Sequence, residues 1–179
     1  MKIIDLSKSL RTNMEVYAGD PAVEIDIVHT HKIHGWELRK MTFGSHTGTH
    51  VDAFSHMDEQ GMTLDQIPLD KFFGCSLVVD IDQEFPKNRG LFFRVKVEMN
   101  MVDKIINAHP PFVGGDIDEV AQRALLQAGV ITYTDLVNLD QIPTNTEFMF
   151  YGFPLPIEAG DGSPVRAVAV LEEPEESTL

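Results

Sequence analysis

The sequence predicts an α+β domain dominated by mixed sheet and curled toward a barrel. Three observations carry that expectation. Strand candidates outnumber helix candidates along the 179 residues. Few strand–helix–strand alternations are visible. A chain of this length most simply forms one domain around its own core. Hydrophobic residues make up 43% and charged residues 23%, an ordinary globular balance that excludes wholesale disorder.

Each element has its own signal. Residues 2–6 are a short apolar run, read as the opening strand. Residues 23–28 (VEIDIV) alternate apolar and polar, the mark of a half-buried strand. Residues 36–43 (WELRKMTF) alternate less cleanly and stop at Gly44. Residues 77–81 are apolar enough for an interior strand. Residues 91–97 are rich in β-branched and aromatic side chains. Residues 148–151 and 165–171 complete the strands. Two segments read as helices. Asp118 can cap one that carries Val120, Ala121, Ala124, Leu125 and Ala128 on a stripe and ends at Gly129. Residues 101–108 form the weaker case, stopped by Pro110 and Pro111. No internal repeat or Gly/Ser-rich linker interrupts the chain. Residues 1–171 therefore read as a single domain, and 172–179 (EEPEESTL) as an acidic, solvated and flexible tail.

Charge and cysteine content narrow the function classes. The 14 basic and 28 acidic residues give a formal charge of −14, which repels phosphate backbones and anionic lipid. Nucleic acid and membrane surfaces are therefore excluded as expected partners. No apolar run reaches the ~18 residues of a spanning helix. The opening residues show no secretory apolar core, so a cytoplasmic location is expected. The single cysteine, Cys75, sits in an apolar stretch and reads as an inert buried thiol.

The seven histidines are His29, His31, His34, His46, His50, His56 and His109. Three of them fall in the stretch H-T-G-T-H-V-D-A-F-S-H, residues 46–56. The H-x3-H spacing is that of helical zinc sites, yet that reading fails. Thr47 follows the first histidine where a catalytic Glu would stand, and Gly48 and Thr49 are poor helix formers. On a helix Asp52 would also lie about 200° around from His50. On an extended backbone His50 and Asp52 share one face, and a turn at Gly48 folds His46 back toward them. The resulting N, N, O ligand set suits one divalent ion, Zn²⁺ or Mn²⁺. Open coordination positions would hold water, whose pKa such an ion lowers to about 7. His56, four residues beyond Asp52, is placed to shuttle protons. The other four histidines read as ordinary surface or half-buried residues, with His31 and His34 at most edging a cleft. Trp36 and Tyr17 read as core filling. Residues 162–166 read as a tight turn entering a strand as readily as a pocket wall.

The same stretch resembles the hallmark of the cyclase-like metal-dependent hydrolases, the family of bacterial kynurenine formamidase and isatin hydrolase. That hallmark is H-x-G-T-H-x-D-A-P-x-H, and only Phe54 departs from it, in place of Pro. The resemblance extends to residues 4–7 with 17–21, to residues 121–129 with 136–140, and to the closing G-D-G-S-P-V-R of residues 160–166. It implies a swivelling β/β/α fold in a homodimer or homotetramer. It implies His46, His50 and Asp52 as metal ligands and His56 as general acid/base. The implied substrate is a small amide, lactam or ester. Two-metal members of the family carry a His and a Glu where this chain has Gln122 and Thr134. Gln and Thr are poor ligands, so the resemblance implies one ion rather than two. Asp135, next to Thr134, would face away on a strand.

Three functions compete at this stage. The first is a hydrolase of a small-molecule amide or ester. The second is a metal-dependent cyclase or lyase on the same scaffold, in which no water is consumed. The third is a metabolite-binding protein with a degraded site, motivated by Gln122 and Thr134.

Overall fold

The computed structural model describes residues 1–172. Residues 173–179, most of the expected acidic tail, lie outside the described residues, while Glu172 is exposed. In chain order the strands are β1 (Lys2–Asp5), β2 (Glu24–His29), β3 (Leu38–Thr42), β4 (His50–Asp52), β5 (Phe73–Val78), β6 (Gly90–Phe92), β7 (Phe112–Gly114), β8 (Ile131–Thr134), β9 (Phe148–Tyr151), β10 (Gly162–Pro164) and β11 (Val168–Leu171). The helices are α1 (His31–His34), α2 (Met99–Asn107) and α3 (Glu119–Gln127). Nine strands form one mixed sheet in the order β1-β11-β9-β5-β6-β7-β8-β4-β10, and β2 pairs with β3 separately. The strand-rich α+β reading holds.

The sheet has to curl. β10 is at one edge and β11 is next to the other, yet only residues 165–167 join them. In a flat sheet those strands would stand roughly 34 Å apart. Three linking residues reach at most ~14 Å. Backbone bonds pin the crossover on both sides: the Val165 N–H donates to the Thr49 carbonyl, and the Leu6 N–H to that of Ala167.

Curling gives the sheet an inside and an outside, and strand alternation sorts side chains between them. Phe92, Phe112, Ile131, Tyr133, Phe150 and Val51 fill the interior, all fully buried. Each such aromatic contributes about 1.5–3 kcal/mol by burial. The outer face of the parallel strands carries Leu77, Leu91 and Val113, covered by Val102 and Ile105 of α2 and by Ala121 and Leu125 of α3. Two β layers and one helix layer result, consistent with the β/β/α expectation.

Several local expectations are corrected. The parallel run β5-β6-β7-β8 contains two strand–helix–strand units, through α2 and α3, in keeping with the few alternations expected. β7, β8 and β10 are three or four residues long, too short to leave a periodic signal. The strand expected over 91–97 ends at Phe92, and that expected over 165–171 starts at Val168, because 165–167 form the crossover. The strand expected over 77–81 is β5, already closed at Val78.

The strand expected at 23–28 is not half-buried. β2 and β3 make a hairpin outside the main sheet, and Ile27, Val28, Leu38 and Met41 are exposed. Trp36 and Tyr17 are exposed rather than core; the Trp36 indole N–H donates to His29 Nδ1 at 3.0 Å, and His29 stacks on His34. Cys75 is half-buried at the outer end of β5, and burial, then the Glu147 charge, raise its thiol pKa. Asp118 caps α3 as expected, its carboxylate accepting the Val120 N–H. The buried stripe of α3 is Ala121, Gln122, Leu125 and Leu126, while Val120 and Ala128 face solvent.

Candidate metal centre

β4 pairs on one side with β8 and on the other with β10. Val51 points into the apolar interior, so His50 and Asp52 point outward, toward α3. This is the shared face that the two-residue spacing predicts. Gly48 makes the turn that precedes it. Its φ of +62° lies in the left-handed region, and a Cβ there would stand 2.8 Å from Leu10 Cδ2. The turn brings His46 back over Asp52, with Nδ1 2.8 Å from Asp52 Oδ1.

Asp52 is fully buried, and its two oxygens are used differently. Oδ2 accepts from the Gln122 amide at 2.7 Å and from the Thr132 hydroxyl at 2.7 Å. Oδ1 faces the histidines, 2.8 Å from His46 Nδ1 and 3.4 Å from His50 Nε2. His50 Nδ1 lies 2.6 Å from the Gly48 carbonyl. A carbonyl can only accept, so Nδ1 carries the proton and Nε2 keeps the lone pair that an ion needs. The Thr134 hydroxyl reaches that lone pair at 2.8 Å. A hydroxyl rotor can turn away when an ion takes its place.

The residue that sequence reasoning missed is Asp161. Its Oδ2 lies 2.9 Å from His46 Nε2 and 3.7 Å from His56 Nδ1. It reaches the cluster from β10's leading turn, 115 positions away from His46. An acidic residue between two glycines, Gly160 and Gly162, was the available signal. Gly162 is needed for space: a Cβ there would collide with the His46 ring.

The electrostatics follow from these contacts. Burial is the largest single influence on His46 and acts to lower its pKa. Asp52 and Asp161 together outweigh it and raise the pKa to about 9. Burial pushes Asp52 up, but the hydrogen bond from His46 and the closeness of both imidazoles bring its net pKa well below the usual carboxylate range. His56 is lowered, by burial first and then by the charge on His46, so it is neutral at physiological pH and free to accept a proton.

His46, Asp52 and His56 each offer a ligand atom, and these lie within 4.8 Å of one another. His50 joins through Asp52 Oδ1. The His46 and His56 rings are tilted face to face, with centroids 3.8 Å apart. The donor set is two imidazole nitrogens and a carboxylate, with a third imidazole at hand, and it could hold a divalent metal ion. Gln122 and Thr134 sit in the same cluster as hydrogen-bonding groups. Asp135 lies outside it, with φ +58° and an ion pair to Lys8. An open cleft of about 410 Å³, lined in part by Phe93, Asp116, Thr134 and Asp135, adjoins the cluster through Thr134.

The comparisons with known proteins bear on the family and the fold. The Cyclase family model, described as "Putative cyclase", matches residues 4–132. The kynurenine formamidase of Salinibacter ruber is 29% identical, over 94% of this chain and 97% of its own. Among solved structures, isatin hydrolase A from Labrenzia aggregata, bound to benzyl benzoate, superposes with a TM-score of 0.80 at 20% identity. It covers 96% of this chain and 94% of its own. Isatin hydrolase A from Ralstonia solanacearum gives 0.78 at 19%, covering 96% and 92%.

Proposed function

The chain belongs to the cyclase family, and from that premise we propose that it is a metal-dependent hydrolase of a small amide, lactam or ester. We assign His46, His50 and Asp52 as the ligands of one divalent ion, Zn²⁺ or Mn²⁺, and His56 as general acid/base. One observation carries the reading: His46 Nδ1 and His50 Nε2 both face Asp52 Oδ1, at 2.8 and 3.4 Å, beside a third, half-buried imidazole, His56. The names of relatives that act on kynurenine-type formamides and on isatin support the amide class.

A bound ion would supply Lewis acidity and a water of lowered pKa. The chain's own residues do the rest. Asp52 neutralises cationic charge from a fully buried position, where the low dielectric strengthens that effect. The His50 tautomer is set by the Gly48 carbonyl. His56 Nδ1 or Nε2 takes a proton from the attacking water and returns it to the leaving nitrogen or oxygen. A pKa held below 6.5 keeps it ready to accept first.

A single ion is supported by Asp52 Oδ2. That oxygen is already committed to Gln122 and Thr132, and neither Gln122 nor Thr134 would offer a second ion a charged donor. Exposed Ile27, Trp36, Leu38 and Met41 on the β2–β3 hairpin support self-association as a homodimer or homotetramer. Light scattering after gel filtration tests that point. A small-molecule substrate and a cytoplasmic setting complete the reading. Among the described residues no helix is long and apolar enough to cross a membrane.

The test is hydrolysis of an aryl-formamide and lactone panel in ¹⁸O-water with zinc or manganese supplied. The expected result is one ¹⁸O in the acid product and a loss of at least ~100-fold in kcat for His56→Ala. Full activity of His50→Ala stripped of metal, or product formed without solvent oxygen, would overturn the assignment; the latter outcome is that of a lyase.

A further inference from the structure

We propose that Asp161 is a positioning residue of this centre, holding the His46 ring so that one nitrogen stays turned toward Asp52 and the ion. The inference rests on the metal reading above. A ligating imidazole functions best when its second N–H donates to a fixed acceptor. His46 has such an acceptor. Its Nδ1 faces Asp52 Oδ1 at 2.8 Å, and its opposite nitrogen, Nε2, faces Asp161 Oδ2 at 2.9 Å. Among the described residues, no other side chain hydrogen-bonds that edge of the ring.

The carboxylate is held in place from its own backbone. The Asp161 carbonyl accepts the Ala53 N–H at 2.9 Å, directly after the ligand Asp52. The Gly160 carbonyl accepts the Leu64 N–H at 2.8 Å. Gly162 stands opposite Asp52 in the β10–β4 register. The same Oδ2 lies 3.7 Å from His56 Nδ1, so one oxygen spans both stacked rings. Meanwhile the Asp161 side chain is 49% exposed and belongs to neither apolar core. Its placement therefore serves the histidines rather than the packing of the fold.

The test is zinc affinity, measured by competition with a chromogenic chelator, for the full chain and for Asp161→Ala and Asp161→Asn. The expected loss for Asp161→Ala is about 10–100-fold, with secondary structure by circular dichroism unchanged. Asp161→Asn keeps an oxygen that accepts from His46 Nε2–H, and recovers most of that loss. Wild-type affinity in Asp161→Ala would overturn the positioning role. Equal losses in the two variants would also overturn it, because the carboxylate charge itself would then be what matters. A wild-type chain that takes up no zinc at all would instead bring down the metal reading, a different and separable outcome.

Discussion

Replacing Gly162 with alanine perturbs the centre without touching a ligand. Gly162 is not among the residues with positive φ, so alanine fits the backbone and the effect is purely steric. The new Cβ would overlap His46 Cε1 and stand 2.8 Å from Nδ1 and 3.0 Å from Nε2. Ordinary contact between such atoms is about 3.5–4.0 Å. The ring must move by roughly 1 Å, or β10 must peel from β4. Moving the ring lengthens its bonds to Asp52 and Asp161, now 2.8 and 2.9 Å. Overpacking of this kind costs about 1–3 kcal/mol. For a chain of this size, that is a fall of roughly 2–12 °C in Tm. The same strain set against ion binding weakens it about 5–150-fold. Thermal melts of the metal-free protein and zinc titrations of the loaded one read both numbers. Unchanged Tm and affinity would refute the packing of His46 on Gly162. A lower Tm with wild-type affinity would refute the placement of His46 in the ligand set.

Three further outcomes are expected. The combined variant Gln122→His with Thr134→Glu, which installs a histidine beside Asp52 and a carboxylate beside His50, takes up a second zinc by native mass spectrometry; two ions on the wild type would contradict the account. Thr132→Val removes one of the two donors to the buried Asp52 Oδ2 and lowers urea-measured stability by about 1–3 kcal/mol; an unaltered midpoint and slope would show that the bond is dispensable. Metal-free stability depends on pH in a fixed direction. His46 is raised from 6.5 to about 9 in the folded chain, so its contribution is complete below about pH 6.5 and disappears as pH rises through about 9. The amount is up to roughly 3 kcal/mol. Asp52, lowered on folding, acts at the other end: its contribution is present above its ordinary pKa of 3.8 and is lost as pH falls through its depressed value. Denaturant titrations at pH 6, 8 and 10 check the alkaline limb, and a flat profile would contradict it.

The grouping of the histidines with Asp52 was legible because its signal is local. A period of two puts His50 and Asp52 on one face, and Gly48 is the one residue between His46 and His50 that turns back without strain. α3 was legible at its ends, through the Asp118 cap and Gly129. Its buried stripe was displaced by the polar Gln122, which is buried because Asp52 needs its amide. Residues far apart in sequence left no local trace. Asp161 approaches His46 only because β10 pairs with β4, and both strands are too short to show alternation. The exposure of Trp36 and Tyr17 has the same origin. Aromatic composition suggests a core, but among the described residues the hairpin that carries Trp36 contributes to neither core cluster.

The most direct test of the central claim is anomalous scattering from crystals of the untagged protein soaked in zinc, read together with ion content in solution. The account predicts one peak per chain, within bonding distance of His46, His50 and Asp52, and one bound ion per chain. An empty cluster at saturating zinc, or a peak that His50 does not touch, would contradict it.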